Sequence, residues 1–188
     1  MTQQARPVLL FKAVRNGAVR ARAFVAARHT FGVVETVTGD AGGDGMAAAQ
    51  LLHDFNVEYG EPAPSPQELA ARLAELILGH HVTVLLAREH ETGAAVGVAV
   101  MRIQPSVWSS AQEAYLAELY VVPSQRGRGY GRELITEAMR VARERGADYA
   151  LVVTSEDDRL AQRLYEAAGF RRTEGEGGPL MLAYEREL

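Results

Sequence analysis

Apolar positions recur with two periods along this chain, and the change from one to the other marks its elements. Val33–Thr38 is a β-branched cluster that predicts a strand, closed by the glycine-rich loop Gly39–Gly45. Met46–Phe55 then places Ala47, Ala48, Leu51, Leu52 and Phe55 on one face of a helix. Residues 56–66 contain Pro62, Pro64 and Pro66 and predict a loop. Ser65, Pro66 and Glu68 form a helix start: a cap, a first-turn proline and the acid of a capping box. The helix Pro66–Leu78 buries Leu69, Leu73, Leu76 and Ile77, and Gly79 ends it. Val82–Glu89 and Ala95–Ile103 read as a hairpin turning at Thr92-Gly93, and Ala114–Val122 as a further strand. The next helix runs to Arg145 with Leu134, Ile135, Ala138, Met139 and Ala142 along one stripe, and Gly146 follows it. Ala147–Thr154 predicts a strand and Leu160–Ala168 a short helix stopped by Gly169. Phe170–Thr173 and Leu180–Tyr184 are expected to close the sheet as a last hairpin.

Hairpins in the first half and β-α-β crossovers in the second imply an α/β domain, a mixed sheet with helices on both faces. No internal repeat or linker divides residues 33–188, which are expected to form one domain behind a basic N-terminal extension, residues 1–32.

Composition narrows the choices. With 188 residues, 47% apolar and 23% charged, the chain has the balance of a globular protein. No apolar run reaches the roughly 18–20 residues of a membrane-spanning helix, so no membrane partner is expected. The opening MTQQARPVLLF lacks the pattern of a secretory signal. There is no cysteine, which removes disulfides, thiolate metal sites and a cysteine nucleophile and suits a cytoplasmic location. Residues 1–34 hold six basic groups and no acid, while the rest of the chain carries all 24 acidic groups. That acidic body argues against a nucleic-acid partner and suits a cationic substrate.

The segment Gln125-Arg126-Gly127-Arg128-Gly129-Tyr130-Gly131 lies between a predicted strand and a predicted helix. Its glycines allow a tight turn whose N–H groups converge on an anion, and the helix start and the arginines add positive potential. A dinucleotide fingerprint starting at Gly127 would need a glycine where Arg132 stands, and no Gly-Lys-Ser/Thr occurs. Arg126, Gly129 and Gly131 do meet the pattern Arg/Gln-x-x-Gly-x-Gly/Ala. Histidine spacing offers no zinc helix, and there is no Gly-x-Ser-x-Gly elbow, so neither a metal site nor a hydrolase triad is expected.

On these residues the chain resembles the GNAT superfamily of N-acetyltransferases. YLAELYVVPSQRGRGYGRELI is similar to the family's acetyl-CoA-binding segment. Downstream, Ala161, Tyr165, Gly169 and Phe170 match a second family pattern, in which Asp158 takes the place of the usual asparagine. The resemblance implies a mostly antiparallel sheet of about seven strands and acetyl-CoA as co-substrate, with no metal. Leu119, Tyr120 and Val121 would run beside the pantetheine arm, with the Val121 N–H facing the thioester carbonyl. Arg126, Gly127, Arg128, Gly129, Tyr130 and Gly131 would hold the pyrophosphate, and Asp158 would stand where a polar cofactor contact is usual. Dimers are common in the family; the sequence leaves the oligomeric state open.

The reaction sets its own demands. An amine attacks a thioester only when unprotonated, the tetrahedral oxyanion needs a donor, and the departing thiolate needs a proton. Tyr165 is the candidate acid, and Glu118, in the strand entering the loop, the candidate base. Glu58, Tyr59 and Glu61 fall in the loop where the family often builds its acceptor pocket. The expected activity is direct acetyl transfer to a primary amine, on a small molecule or a peptide. The alternative is a non-catalytic acetyl-CoA-binding module on the same fold.

Overall fold

The computed structural model describes residues 32–37 and 43–187. The N-terminal extension lies outside them except for Gly32, and so does most of the loop after the first strand.

Among the described residues five strands make one sheet: β1 (Gly32–Thr36), β2 (Thr83–Glu89), β3 (Ala95–Pro105), β4 (Gln112–Val121) and β5 (Ala147–Val152). They lie side by side in chain order, antiparallel except for the parallel pair β4 and β5. Among the described residues four α-helices accompany the sheet: α1 (Gly43–Glu58), α2 (Pro66–Leu78), α3 (Tyr130–Glu144) and α4 (Arg159–Ala167). None is long and apolar enough to cross a membrane.

The sheet is apolar on both faces because each carries helices. On one side Ala48, Ala49 and Leu51 of α1 and Ala70 and Leu73 of α2 pack with Val84, Leu86, Val98 and Val100. On the other, Leu134, Ile135, Ala138 and Ala142 of α3 pack with Leu85, Ala99, Met101, Ala114 and Leu116. Full burial of a leucine or isoleucine of this kind contributes roughly 2 kcal/mol, so the α3 stripe anchors its helix firmly. α4 has no fully buried residue; Leu164 and Tyr165, with Phe170 just beyond, rest against the rim of the α3 layer.

Local chemistry explains the boundaries. The Ser65 hydroxyl accepts the Glu68 N–H, and the Ser65 N–H donates to the Glu68 carboxylate at 2.9 Å, so the expected capping box starts α2. At its far end His80, not Gly79, takes the left-handed conformation, with φ 56°. Gly79 serves a different purpose, since a β-carbon there would meet the His81 ring at 2.7 Å. Helix α1 begins three residues earlier than the apolar pattern indicates and continues to Glu58.

The expectation of about seven strands is corrected to five among the described residues. The last hairpin is reduced to a single antiparallel bridge, Thr173 to Leu180, flanked by hydrogen bonds from the Glu174 N–H to the Pro179 carbonyl and from the Met181 N–H to the Arg172 carbonyl. Gly175, Gly177 and Gly178 supply no side chains to pair, and Pro179 supplies no N–H, so the ladder stops there.

Candidate active site

One residue on β4 creates the opening of the site. Val100 pairs with Glu118, but the next residue of β3, Met101, pairs with Leu116, so Ala117 has no partner and forms a bulge. Side chains alternate along a strand, and one extra residue exchanges their faces. Ala114 and Leu116 accordingly look toward α3, and beyond the bulge Leu119 and Val121 do so, while Tyr120 joins the α1 layer. Glu118 shares the parity of Tyr120.

The parallel partner is lost at the same place. β4 pairs with β5 only as far as Leu116 opposite Val152. From Ala117 to Val121 the β5-facing edge of β4 is open. The Val122 N–H donates to Val96 of β3 at 3.0 Å, so alternation turns the main-chain groups of Leu119 and Val121 away from β3, into the gap. The gap is a groove of about 630 Å³ between the end of α1, β4, the start of α3 and α4.

The turn into α3 forms one end of this groove. Gly127 and Gly129 adopt φ 78° and 95°, a region that costs other residues about 1–2 kcal/mol. Gly129 is the N-cap of α3 and has no side chain with which to cap it. The first intrahelical bond is from the Glu133 N–H to Gly129, so the amides of the preceding first turn face outward with the positive end of the helix dipole. Gly131 matters for space: a β-carbon there would meet Leu164 of α4 at 3.1 Å.

Glu118 and Tyr165 both line the groove. Burial pushes the Glu118 carboxyl above the usual range, and Arg102 partly opposes the shift. Tyr165 is pushed up to about 12, first by burial and then by the charges of Asp158 and Glu118. Its ring stands edge-on to Phe170, centroids 6.0 Å apart. The phenol is therefore a held proton, and the carboxylate is a base stronger than a free glutamate.

The other expected site residues divide by environment. Leu119, Tyr120, Val121, Arg126, Gly127, Gly129, Tyr130, Gly131 and Asp158 line the groove. Arg128 does not; it is exposed and lies 3.9 Å from Glu89. The Tyr130 ring is buried in the α3 core, which leaves its main chain for binding. Asp158 caps α4 by accepting the Ala161 N–H at 2.9 Å. That bond accounts for an acid at this position, because either Asp or Asn can cap a helix. Of the three loop residues, only Tyr59 lines the groove, and it packs edge-on against Phe55. Glu58 is instead the last residue of α1 and pairs with Arg126 at 2.7 Å.

Sequence reasoning missed the bulge and the lining residues Phe55, Thr154, Leu160 and Arg163. Phe55 belongs to the predicted helical stripe, and only its position at the end of α1 hints at a site. For the bulge a faint signal existed: Ala114 and Leu116 read as one face, Leu119 and Val121 as the other parity, within one strand.

The groove thus brings together an open sheet edge, an amide-rich turn, a half-buried carboxyl and a phenol that keeps its proton. The sequence profile of the Acetyltransferase (GNAT) family matches residues 48–170. The uncharacterized N-acetyltransferase YhfO of Bacillus subtilis is 29% identical over 132 residues, spanning 70% of this chain and 87% of its own. A crystallised protein of Arthrobacter sp. FB24 assigned as an acetyltransferase superposes with a TM-score of 0.73 at 40% identity, covering 83% of this chain and 96% of that one. The aminoglycoside N(6')-acetyltransferase type 1 of Serratia marcescens is 27% identical over 116 residues, 60% of this chain and 79% of its own. The chain belongs to the Acetyltransferase (GNAT) family.

Proposed function

We propose that the groove binds acetyl-CoA along the open edge of β4 and that the enzyme transfers its acetyl group directly to a primary amine. The observation that carries this reading is the meeting of three features in one groove: a strand edge open at Leu119 and at the Val121 N–H, uncapped amides from Gly127 into α3, and the Glu118–Tyr165 pair.

The residues suit the co-substrate. Leu119 offers an N–H and a carbonyl, and Val121 an N–H, its carbonyl being held by Arg126 at 2.9 Å; an extended amide-bearing arm can pair with those groups as a neighbouring strand would. The turn and the first helical amides suit a diphosphate, with Arg132 on the same rim. Acetyl-CoA supplies an activated carbonyl and a thiolate leaving group.

The protein's own groups do the rest. Glu118 takes a proton from the acceptor's ammonium, directly or through water, so that the free amine attacks; the nitrogen gives up its second proton to water as the amide forms. The Val121 N–H faces the thioester carbonyl and steadies the oxyanion; a donor in that role is typically worth about 3–4 kcal/mol. Tyr165 gives its proton to the departing sulfur, and its raised pKa keeps that proton in place at neutral pH. Without cysteine the chain has no thiol route to an acetyl-enzyme, which agrees with direct attack in a ternary complex.

The acceptor we propose is a small-molecule or peptide amine of cationic character. Its support is the acidic body of the chain and relatives named for aminoglycoside and thialysine acceptors. A cytoplasmic setting belongs to the same proposal. Calorimetry with acetyl-CoA, followed by an amine panel read by release of free CoA thiol, tests it. Micromolar binding and thiol release with at least one amine are expected. Failure to bind the co-substrate overturns the proposal.

A further inference from the structure

Arg126 opens the loop pattern, yet its guanidinium is committed elsewhere. Nε donates to the Val121 carbonyl at 2.9 Å, and Nη2 pairs with Glu58 Oε2 at 2.7 Å. The group lies 5.6 Å from the centre of the Tyr120 ring. Tyr120 is itself nearly buried, 5.3 Å from Phe55 between centroids. Burial, and then a hydrogen bond to Glu58, push its phenol up to about 12, so it stays a donor to that carboxylate. Asp54, one turn back on α1, adds a second negative charge near this phenol.

These contacts join two ends of the groove that are 68 residues apart in sequence. On one side is the end of α1, where Phe55 and, just past the helix, Tyr59 line the groove. On the other is the edge of β4. The side chains of Arg126 and Glu58 are about one-third exposed or less, so their pairing is only partly screened by solvent. Two directed bonds and the aromatic face beneath it fix the guanidinium between Glu58 and Val121, and a phosphate would have to compete with the Glu58 carboxylate for it.

We propose that Arg126 is a clamp between the end of α1 and the cofactor-facing edge of β4, and not a ligand of the diphosphate. This rests on the reading of the groove as an acetyl-CoA site and adds to it. Main-chain amides grip the diphosphate, while the Arg126 side chain positions the Phe55–Tyr59 end where the acceptor enters. Occupation of the β4 edge is then coupled to order at the end of α1, and the coupling is reciprocal.

The test combines affinity and amide exchange on Arg126→Gln, Glu58→Gln and the double variant. CoA and pantetheine are the probes, since only CoA carries the diphosphate. In Arg126→Gln the ratio of CoA to pantetheine affinity should stay within about twofold of wild type. Hydrogen exchange at the Tyr59 and Gly60 amides, which close the end of α1, should speed up roughly tenfold in each single variant and no further in the double. CoA should slow that exchange in the wild type and fail to do so in Glu58→Gln, although it still binds. A collapse of the affinity ratio by about tenfold in Arg126→Gln would make the residue a phosphate ligand and overturn the proposal. Unchanged exchange in both single variants would also overturn it. The exchange comparison between variants needs no co-substrate, so it judges the clamp even if CoA binding fails and the groove reading falls.

Discussion

Glu118 on β4 and Tyr165 on α4 face one groove, and the carboxylate is one of the charges that keep the phenol protonated. Burial raises both groups, but the consequences are opposite. A raised carboxyl is a better base near neutral pH, and a raised phenol is a more firmly loaded acid.

Tyr165→Phe should lower kcat by about a hundredfold or more, the low end for a positioned general acid, and leave CoA affinity within about twofold. Turnover by thiol release and binding by calorimetry separate the two effects. Wild-type activity should show no basic limb from Tyr165 below about pH 11, since its pKa is pushed up to about 12.

Glu118 should set the acidic limb of the pH–rate profile. Activity needs the ionised form, so the rate falls as pH drops through a pKa lying above the ordinary carboxylate value. Glu118→Gln should remove that limb and cost about a hundredfold in kcat/KM. Arg102→Gln removes the charge that opposes the shift and should move the limb to higher pH.

Stability should move the other way. A carboxyl whose folded pKa is raised favours the fold while protonated, and that contribution is lost as pH rises through the folded pKa. Glu118→Gln should therefore melt above wild type at pH 7. The difference should vanish near pH ~4, where the wild-type side chain is neutral as well. Melting curves at the two pH values check it.

Gly129→Ala should cost about 1–2 kcal/mol of stability, because alanine must enter the left-handed region. It should also weaken CoA binding, because the amides on either side of Gly129 form the anion-facing turn. Thermal melts and calorimetry on one sample report both.

Ser65→Ala tests the fold apart from the site. It removes the capping bond to the Glu68 N–H and should cost about 1 kcal/mol. Catalysis should be unchanged, because Ser65 does not line the groove.

Much of this could be read in the residues. The α2 cap, the Thr92-Gly93 hairpin and the α3 stripe follow from local rules, since capping, turn geometry and helical periodicity involve neighbours in sequence. That Glu118, Tyr165 and the loop glycines share one groove could be anticipated, because chemistry and family pattern converge on them. The Arg126–Glu58 bond could not, because it depends on how α1 lies against β4, and no spacing encodes that. The terminal hairpin failed for the opposite reason. Its apolar residues suggested strands, but strands need partners, and the intervening glycines and Pro179 limit pairing to one bridge.

The unpaired Ala117 makes β4 a segment whose residue count matters more than its composition. Single exchanges of similar size along it would leave each neighbour on its own side. Dropping one residue there would swing Glu118 among the aliphatic groups beneath α3 and bring hydrocarbon to the place its carboxylate now holds in the groove. Variants of this enzyme that differ in length should therefore carry their insertions and deletions in the exposed β3–β4 connection around Trp108, and leave the strand after it uncut.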